Sequence, residues 1–401
     1  MANNFSLATT ASSIAAAGEP KVGTPTINKA TILFILMTLT GIGAGLYAFY
    51  VGHHHAYANT RPMPWGILIS SYAFFAITST GLCLLAALSH IFGGNKLAPL
   101  ANRMVFLSIV TIIAGFTLIG LELENPWRLA IYNILSPNLT SNIWWMGTLY
   151  GMAVGFMFVE FFLILTQRYK LAIFLGVAGA LAEVMANTNL GAVFSTLSAH
   201  PLWYGSQLPV YFLCSAFMTG AAAIILFTHF AYKMRGEQME TEIFEGVQSA
   251  GKVLALTLFL IAVATAWKFI SYFVGGTEGG RLAAQSLLSG PLSTNFWVFE
   301  IVVGMALPLF ILVSSRMKNM QALSTAALLA LVGAFFQRYD LVVAGQQVPS
   351  YLGWDNLPTY FQYTPSVAEF LVTLGGLGIV GAGFLRGERF FGRAFKSSGH
   401  H

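Results

Sequence analysis

Ten long apolar stretches alternate along the chain with more polar connections. Each is long enough to cross roughly 30 Å of hydrocarbon as a helix, whereas a barrel strand needs only about ten residues. The stretches are residues 30–50, 65–92, 101–123, 141–168, 171–197, 207–234, 250–274, 293–315, 321–344 and 366–387. The pattern predicts an all-α integral membrane protein with about ten transmembrane helices.

The Lys and Arg residues are distributed unevenly between the two sides of this predicted bundle. Of 20 such residues, five fall on the side of the first outer connection, namely Arg61, Arg128, Lys268, Arg281 and Arg338. Basic residues resist translocation and mark cytoplasmic loops. We therefore expect both termini in the cytoplasm, with the protein in a bacterial cytoplasmic (inner) membrane.

An internal repeat is visible in the sequence. Two matching stretches open a helix at an offset of 139: Arg61-Pro-Met-Pro-Trp-Gly66 with Gly81 and His90, and His200-Pro-Leu-Trp-Tyr-Gly205 with Gly220 and His229. Two others match at an offset of 153: Asn142-Ile-Trp144 with Gly151-Met-Ala153, and Asn295-Phe-Trp297 with Gly304-Met-Ala306. The matches predict two parallel four-helix bundles, helices 2–5 and 6–9, flanked by helices 1 and 10.

This organisation divides the chain into five parts. They are a flexible cytoplasmic tail (1–29), the first helix with its outer loop (30–64), the first bundle (65–200), the second bundle (201–345), and the last outer loop, helix and cytoplasmic tail (346–401).

Composition narrows the class of protein further. Only 9% of residues are charged and 56% are hydrophobic, against about 25% charged in soluble domains. The apolar surface must face a lipid bilayer, and the net charge of +5 fits basic cytoplasmic loops and gives no reason to expect nucleic acid. With two cysteines and no C-x-x-C-H motif, the sequence predicts no iron–sulfur cluster, metal site or c-type haem in this chain.

Several titratable or polar residues fall inside the predicted spans, where each costs free energy on the order of 2.5–3.5 kcal/mol. We consider them a candidate proton pathway: His90, Glu160, Glu183, Asn187, His229, Glu300, Arg338 and Asp340. The alternative is that each acid is neutral or hydrogen-bonded for packing. A haem between His90 and His229 is a further possibility, though a pair generated by the repeat itself supports it weakly. Arg338 and Asp340 are two positions apart, so Arg338 is expected to find its partner on another helix.

A second candidate group lies at the outer end of the first helix. It begins with His53, His54 and His55 and continues with Trp65 and the acid-Arg stretch of Glu122 and Arg128. Consecutive helical residues point about 100° apart, so three adjacent imidazoles cannot all face one metal. Hydrogen bonding to a quinone, or a purely structural role, is favoured over metal binding.

The chain resembles the NrfD family, the membrane subunits of polysulfide reductase and related complexes. The likeness rests on five ordered motifs: Pro64-Trp-Gly66, the stretch from Glu122 to Arg128, Pro137-Asn-x-x-Ser141, His200-Pro-Leu-Trp203 and Phe296-Trp-x-x-Glu300. Ten helices make it more similar to the branch with hydrogenase-2 and DsrP-type membrane subunits. The resemblance implies quinone (menaquinone or ubiquinone) as an exchangeable substrate, with candidate residues His53 to His55, Trp65, Glu122, Arg128, Asn142 and Trp145.

The resemblance also implies a partner. It would be an iron–sulfur electron-transfer subunit docked on the extracytoplasmic face, with a catalytic molybdopterin, hydrogenase or multihaem subunit beyond it. The sequence therefore predicts a quinone-reactive subunit of a respiratory oxidoreductase, with proton translocation as an additional hypothesis. The alternative is a proton-translocating protein or secondary transporter without quinone chemistry.

Overall fold

The computed structural model describes residues 25–91, 96–350 and 356–396. Within them, ten helices are long and apolar enough to cross a membrane, which confirms the predicted fold class. They are α1 (Pro25–Val51), α2 (Ile67–Ile91), α3 (Ala101–Glu122), α4 (Asn142–Leu165), α5 (Tyr169–Ser195), α6 (Gln207–Arg235), α7 (Thr241–Gly275), α8 (Asn295–Ser314), α9 (Met320–Gln347) and α10 (Val367–Phe391). We call the end that carries residues 52–66 the outer end.

Two short helices at the outer end were not anticipated from the sequence. Pro126–Leu135 follows α3 and has no buried residue, while Glu278–Leu288 follows α7 and buries its small face. In the sequence both helices fall in predicted connections, because neither segment is long and apolar enough to be predicted as a transmembrane span.

The two central helices are α2 and α6. Helix α2 packs against α3, α5, α6 and α9, and α6 packs against α2, α5, α7 and α9. Helix α4 pairs with α5 and α8 with α9, while α1 and α10 pack together along the outside. The same neighbour relations thus recur in α2–α5 and α6–α9, but the repeat and the five-part division remain predictions.

Helices α2 and α6 cross at Gly81 and Gly220, the glycines paired by the 139-residue offset. A Cβ atom on Gly81 would overlap the backbone carbonyl of Ala216, and one on Gly220 would overlap the backbone of Gly81. Only glycine permits so close an approach, as small residues do at membrane helix crossings.

Helix α8 is π-helical from Asn295 to Ala306 and α-helical from Leu307. Pro308 lies just beyond the change. Proline has no N–H, so an α-helical bond to the carbonyl of Gly304 cannot form, and π-type bonding is one way in which a membrane helix satisfies backbone groups freed by a proline. The helix remains continuous through this point.

Three charged side chains meet at the inner end. Glu388 on α10 accepts from Arg103 Nε of α3 at 2.7 Å and from Arg235 Nη2 of α6 at 2.6 Å. All three side chains are at most 3% exposed, so this cluster ties three helices together through one carboxylate.

Candidate functional site

A cavity of about 360 Å³ opens at the outer end of the bundle. It lies between the end of α1, the start of α2 and the end of α3. Its walls are His53, His54, Tyr57, Asn59, Thr60, Pro64, Trp65, Ile69, Glu122, Leu123 and Glu124. We call it the outer cavity. It brings together four of the eight residues predicted to bind quinone, namely His53, His54, Trp65 and Glu122.

Glu122 is the last residue of α3 and supplies the less exposed of the cavity's two carboxylates, the other being that of Glu124. Asn59 Nδ2 donates to Glu122 Oε1 at 2.7 Å. Glu122 Oε2 and Asn59 Oδ1 are buried without a partner among the described protein atoms. One carboxylate oxygen is therefore held in place, while the other is left for a ligand or water.

His53 and Tyr57 attach this segment to α3. His53 Nε2 lies 3.1 Å from the Leu121 carbonyl oxygen, and the Tyr57 hydroxyl donates to the same oxygen at 3.0 Å. Burial and the nearby carboxylates of Glu122 and Glu369 raise the pKa of Tyr57, so its hydroxyl stays protonated and remains a donor. His54 and His55 are exposed, with ring centroids 3.9 Å apart.

Glu369, which sequence reasoning missed, fixes the floor of this region. It accepts from the backbone of Ala58 at 3.1 Å, from the Tyr363 hydroxyl at 2.5 Å and from the backbone of Ser366 at 2.7 Å. Burial and the adjacent Glu369 carboxylate raise the pKa of Tyr363. The signal was present in Ser366-Val-Ala-Glu369, a capping box that the structure forms.

Trp65 forms an aromatic wall that reaches toward the second bundle. Its backbone N–H donates to Gln346 Oε1 at 3.0 Å and its carbonyl accepts from Gln346 Nε2 at 2.8 Å. Its ring stacks on Trp203 at 5.3 Å and meets Phe194 edge-on. The stack connects the outer cavity rigidly to the first turn before α6.

His200 supports the same turn from the other side. Its Nδ1 lies 2.9 Å from the Gly345 carbonyl oxygen. Burial lowers the pKa of His200, although the hydrogen bond to Gly345 opposes the shift. The imidazole is accordingly neutral at pH 7, with Nδ1–H as the donor.

The other four predicted quinone residues do not line the outer cavity. His55 points outward, and Arg128 is exposed on the helix Pro126–Leu135. Asn142 Nδ2 donates to Thr196 Oγ1 at 3.2 Å, which places it against α5. Trp145 Nε1 donates to the Leu139 carbonyl at 2.9 Å.

The first polar cluster lies inside α2–α5. Thr80 donates to Glu183 Oε2 at 2.5 Å, and Tyr72 and Tyr150 lie within electrostatic range of Glu183. Glu183 Oε1 and both amide atoms of Asn187 are buried without a partner in the described protein. Buried polar atoms of this kind ordinarily bind internal water.

Glu160 lies nearer the inner end than this cluster. Its carboxyl group rests against Gly176 of α5, and Glu183 is about 10 Å further along that helix. The thiol of Cys83 on α2 lies within electrostatic range of both carboxyl groups. The two glutamates therefore lie one above the other in the first bundle, without direct contact.

The second polar cluster lies inside α6–α9. Tyr211, Lys268, Glu300, Gln337 and Asp340 share a small cavity of about 20 Å³, enough room for about one water molecule. Both carboxylate oxygens of Asp340 are buried without a hydrogen-bond partner in the described protein. The sequence had placed Lys268 within the predicted span 250–274 and counted it only among the basic residues of the outer side, so its place here is a finding of the structure.

Arg338 in this cluster bonds across helices, as predicted. Its Nη2 donates to Ser215 Oγ on α6, and its guanidinium carbon lies 4.7 Å from the ring centroid of Phe212. It makes no ion pair with Asp340 within the part of the chain that the structure describes.

The two histidines of the predicted proton pathway lie apart from these clusters. His229 is near the inner end of α6, with Nδ1 unpartnered among the described atoms. The side chain of His90 lies outside the described residues. Among the described residues, no group of three or more His, Cys, Asp or Glu is placed to hold a metal ion.

The fold and these sites define a multi-pass integral membrane protein with an acid-bearing cavity at its outer end and two buried polar clusters below. Residues 55–350 match the family model described as polysulphide reductase, NrfD. The chain belongs to the NrfD family, as its motifs had suggested.

Three relatives are similar over most of their length. The Hdr-like menaquinol oxidoreductase integral membrane subunit of Archaeoglobus fulgidus is 23% identical over 92% of this chain and 95% of its own. A selenate reductase subunit of Mesobacillus selenatarsenatis is 21% identical over 80% and 84%. A polysulfide reductase chain of Wolinella succinogenes is 23% identical over 72% and 95%.

Proposed function

We propose that the protein is the quinone-reactive membrane subunit of a respiratory oxidoreductase. The observation that carries the proposal is the outer cavity, where a partly unpartnered buried carboxylate faces an aromatic wall at the end of a transmembrane helix. Its volume of about 360 Å³ lies within the usual range for small-molecule sites. The names of the relatives, a menaquinol oxidoreductase subunit among them, support the same substrate class.

The side chains of the cavity suit a quinol head group. Glu122 Oε2 accepts the hydroxyl proton, Asn59 fixes the other oxygen of that carboxylate, and Trp65 presents an apolar face to the ring. His53 and His54 supply imidazole nitrogens at the rim, where exchange of protons with bulk water is open. A positioned acid–base group of this kind contributes about 10²–10⁴-fold to a proton-transfer step.

The electrons leave through another protein. Two cysteines cannot ligate an iron–sulfur cluster, so an iron–sulfur subunit must approach the outer end, close to the cavity. A catalytic molybdopterin, hydrogenase or multihaem subunit would lie beyond it. The relatives from selenate reductase and polysulfide reductase bear the names of single subunits or chains. Those names support a multi-subunit assembly. We place it in the bacterial inner membrane with the outer end extracytoplasmic because most Lys and Arg residues lie on the opposite side of the predicted bundle.

The test is Glu122→Gln in the purified complex. Loss of the carboxylate removes the proton acceptor while keeping the Asn59 contact, so quinol oxidation should fall at least a hundredfold. Glu278→Gln is the matched control, since Glu278 is an exposed acid at the same end. Equal turnover in both variants would refute the assignment of the cavity.

Proton translocation through the first polar cluster is a second proposal, supported by the unpartnered atoms of Glu183 and Asn187. Glu160 would deliver protons from the inner side. Glu183→Gln in proteoliposomes should abolish proton movement per electron while quinol oxidation continues. Unchanged proton-coupled turnover would exclude this route.

A stand-alone secondary transporter is the rival function. Such proteins carry helices broken at the midplane in matching positions of both repeats, whereas α4 is a regular helix and α8 is continuous. Purification under mild conditions separates the two functions: a quinone-reactive membrane anchor should be isolated together with iron–sulfur proteins, and a transporter should be isolated alone.

A further inference from the structure

A second cavity, of about 390 Å³, lies between α6 and α7 in the outer half of the bundle. Its polar residues are Ser206, Gln207, Tyr211 and Lys268, at the outer level. Towards the membrane centre the walls become apolar, with Cys214, Leu260, Ile261 and Ala264. Val210 and Trp267 at its edge are more than 60% exposed, so the cavity is accessible from the lipid.

Lys268 is the distinctive group of this cavity, which we call the lateral cavity. Its ammonium makes no hydrogen bond or ion pair with any described residue, although long side chains at this depth normally find a partner. Lys268 and Tyr211 line both the lateral cavity and the small polar cavity of Glu300 and Asp340. These two side chains therefore stand between the lipid-facing space and the buried carboxylates.

If the predicted repeat holds, the lateral cavity corresponds in position to the outer cavity. The outer cavity lies beside the outer ends of α2 and α3, and the predicted repeat pairs these helices with α6 and α7. Both cavities combine an aromatic wall, an ionisable side chain and access at the outer level.

We propose that the lateral cavity is a second binding site for a quinone-type molecule. The head-group oxygens would accept hydrogen bonds from Lys268 and Tyr211, and the isoprenoid tail would lie along Leu260 and Ile261. This inference rests on the proposed function, because it assigns the same class of substrate to a second site in the protein.

The charges nearby favour a neutral head group over a phospholipid phosphate. The second polar cluster contains as many acidic groups, Glu300 and Asp340, as basic groups, Lys268 and Arg338. A phosphate would add a full negative charge next to these acids in a region of low dielectric constant, whereas a quinone carbonyl offers acceptors without charge.

Cys214 provides a native reporter of occupancy. It lines the lateral cavity and is partly exposed, whereas Cys83 is buried. The purified complex, depleted of lipid and quinone, is treated with N-ethylmaleimide, and alkylation of each cysteine is followed by mass spectrometry. Menaquinone-4 should slow alkylation of Cys214 at least fivefold, and dioleoylphosphatidylglycerol should not.

Variants of α7 test the role of the ammonium. Lys268→Met should raise the concentration of menaquinone-4 needed for protection at least tenfold, and Lys268→Arg should retain protection. Lys252→Met is the matched control, since Lys252 is an exposed lysine nearer the inner end of the same helix.

Three outcomes would overturn the proposal: no protection by menaquinone-4, protection by the phospholipid alone, or protection that Lys268→Met leaves unchanged. Protection is measured without turnover, and it should persist in Glu122→Gln. A failure of quinol oxidation chemistry at the outer cavity is therefore distinguishable from a failure of the lateral site.

Discussion

The two polar clusters occupy similar places in the two halves of the bundle but differ in charge. The first contains Glu183 and Asn187 with hydroxyl groups around them, and no cation lies among these residues. The second contains Lys268 and Arg338 beside Glu300 and Asp340. A carboxyl group without a cation is stable in a membrane interior only by taking up a proton or water, whereas a nearby cation favours the charged form of a carboxyl group. The first cluster is thus suited to proton exchange and the second to holding charges in place.

The largest expected effect is a difference in folding stability between a variant of the second cluster and a variant of the first. Arg338→Met removes the hydrogen bond to Ser215 Oγ and the cation–π contact with Phe212, which together should cost about 2–4 kcal/mol. Glu183→Gln keeps the shape and the Thr80 contact, so it should cost less than about 1 kcal/mol. Thermal unfolding in detergent, followed by tryptophan fluorescence, measures both. Similar losses in the two variants would contradict the contrast.

A middle-sized effect is expected where the two halves meet. Gly81→Ala places a methyl group against the Ala216 carbonyl, so α2 and α6 must separate, at a cost of about 1–3 kcal/mol. Gly151→Ala on α4 has open space around its Cβ position and should gain up to about 1 kcal/mol from helix propensity. Opposite shifts in unfolding temperature are the expected result, and a gain in both variants would show that the crossing tolerates a side chain.

The smallest expected effect is a pH dependence of stability at the segments that precede α2 and α6. The repeat pairs exposed Arg61 with half-buried His200. Burial lowers the pKa of His200, so the folded protein favours the neutral imidazole. The contribution of His200 to folding stability is therefore present above the ordinary histidine pKa of about 6.5 and is lost as the pH falls below that value. Solvent screening keeps the difference to roughly 0.5 kcal/mol or less.

The measurement for His200 is the unfolding temperature at pH 7.5 and pH 5.5. The native protein should lose slightly more stability across this interval than His200→Gln, which cannot titrate. Arg61→Gln should show the same pH dependence as the native protein. A larger pH dependence in His200→Gln would reverse the sign assigned here.

Hydropathy and charge were enough to predict the ten spans, because a transmembrane helix must be long, apolar and flanked by an uneven charge distribution. The same criteria counted Lys268 only as a basic residue of the outer side, since it lies near the outer end of a 35-residue helix. Lys268 faces the interior because of the face that α7 turns toward α6 and α9. The sequence does not reveal that face, because the hydrophobic pattern of a mostly apolar span has no clear periodicity.

The outer cavity was partly predictable for a related reason. His53, Trp65 and Glu122 could be grouped because each lies at the outer end of its own helix. Asn142 and Trp145 lie at the same level but on α4, and lateral position within a bundle is set by packing. Asn59 and Glu369 gave weak signals, since their importance comes from hydrogen bonds between loops distant in sequence.

The ion cluster at the inner end has a consequence for biogenesis. Arg103 and Arg235 belong to the third and sixth helices to leave the ribosome, while Glu388 belongs to the last. Until α10 is inserted, both arginines lack the carboxylate that neutralises them, so the bundle cannot close completely during synthesis. A polypeptide that stops before α10 would lack the carboxylate that Arg103 and Arg235 share, so the contact that joins these three helices forms only once α10 is in place.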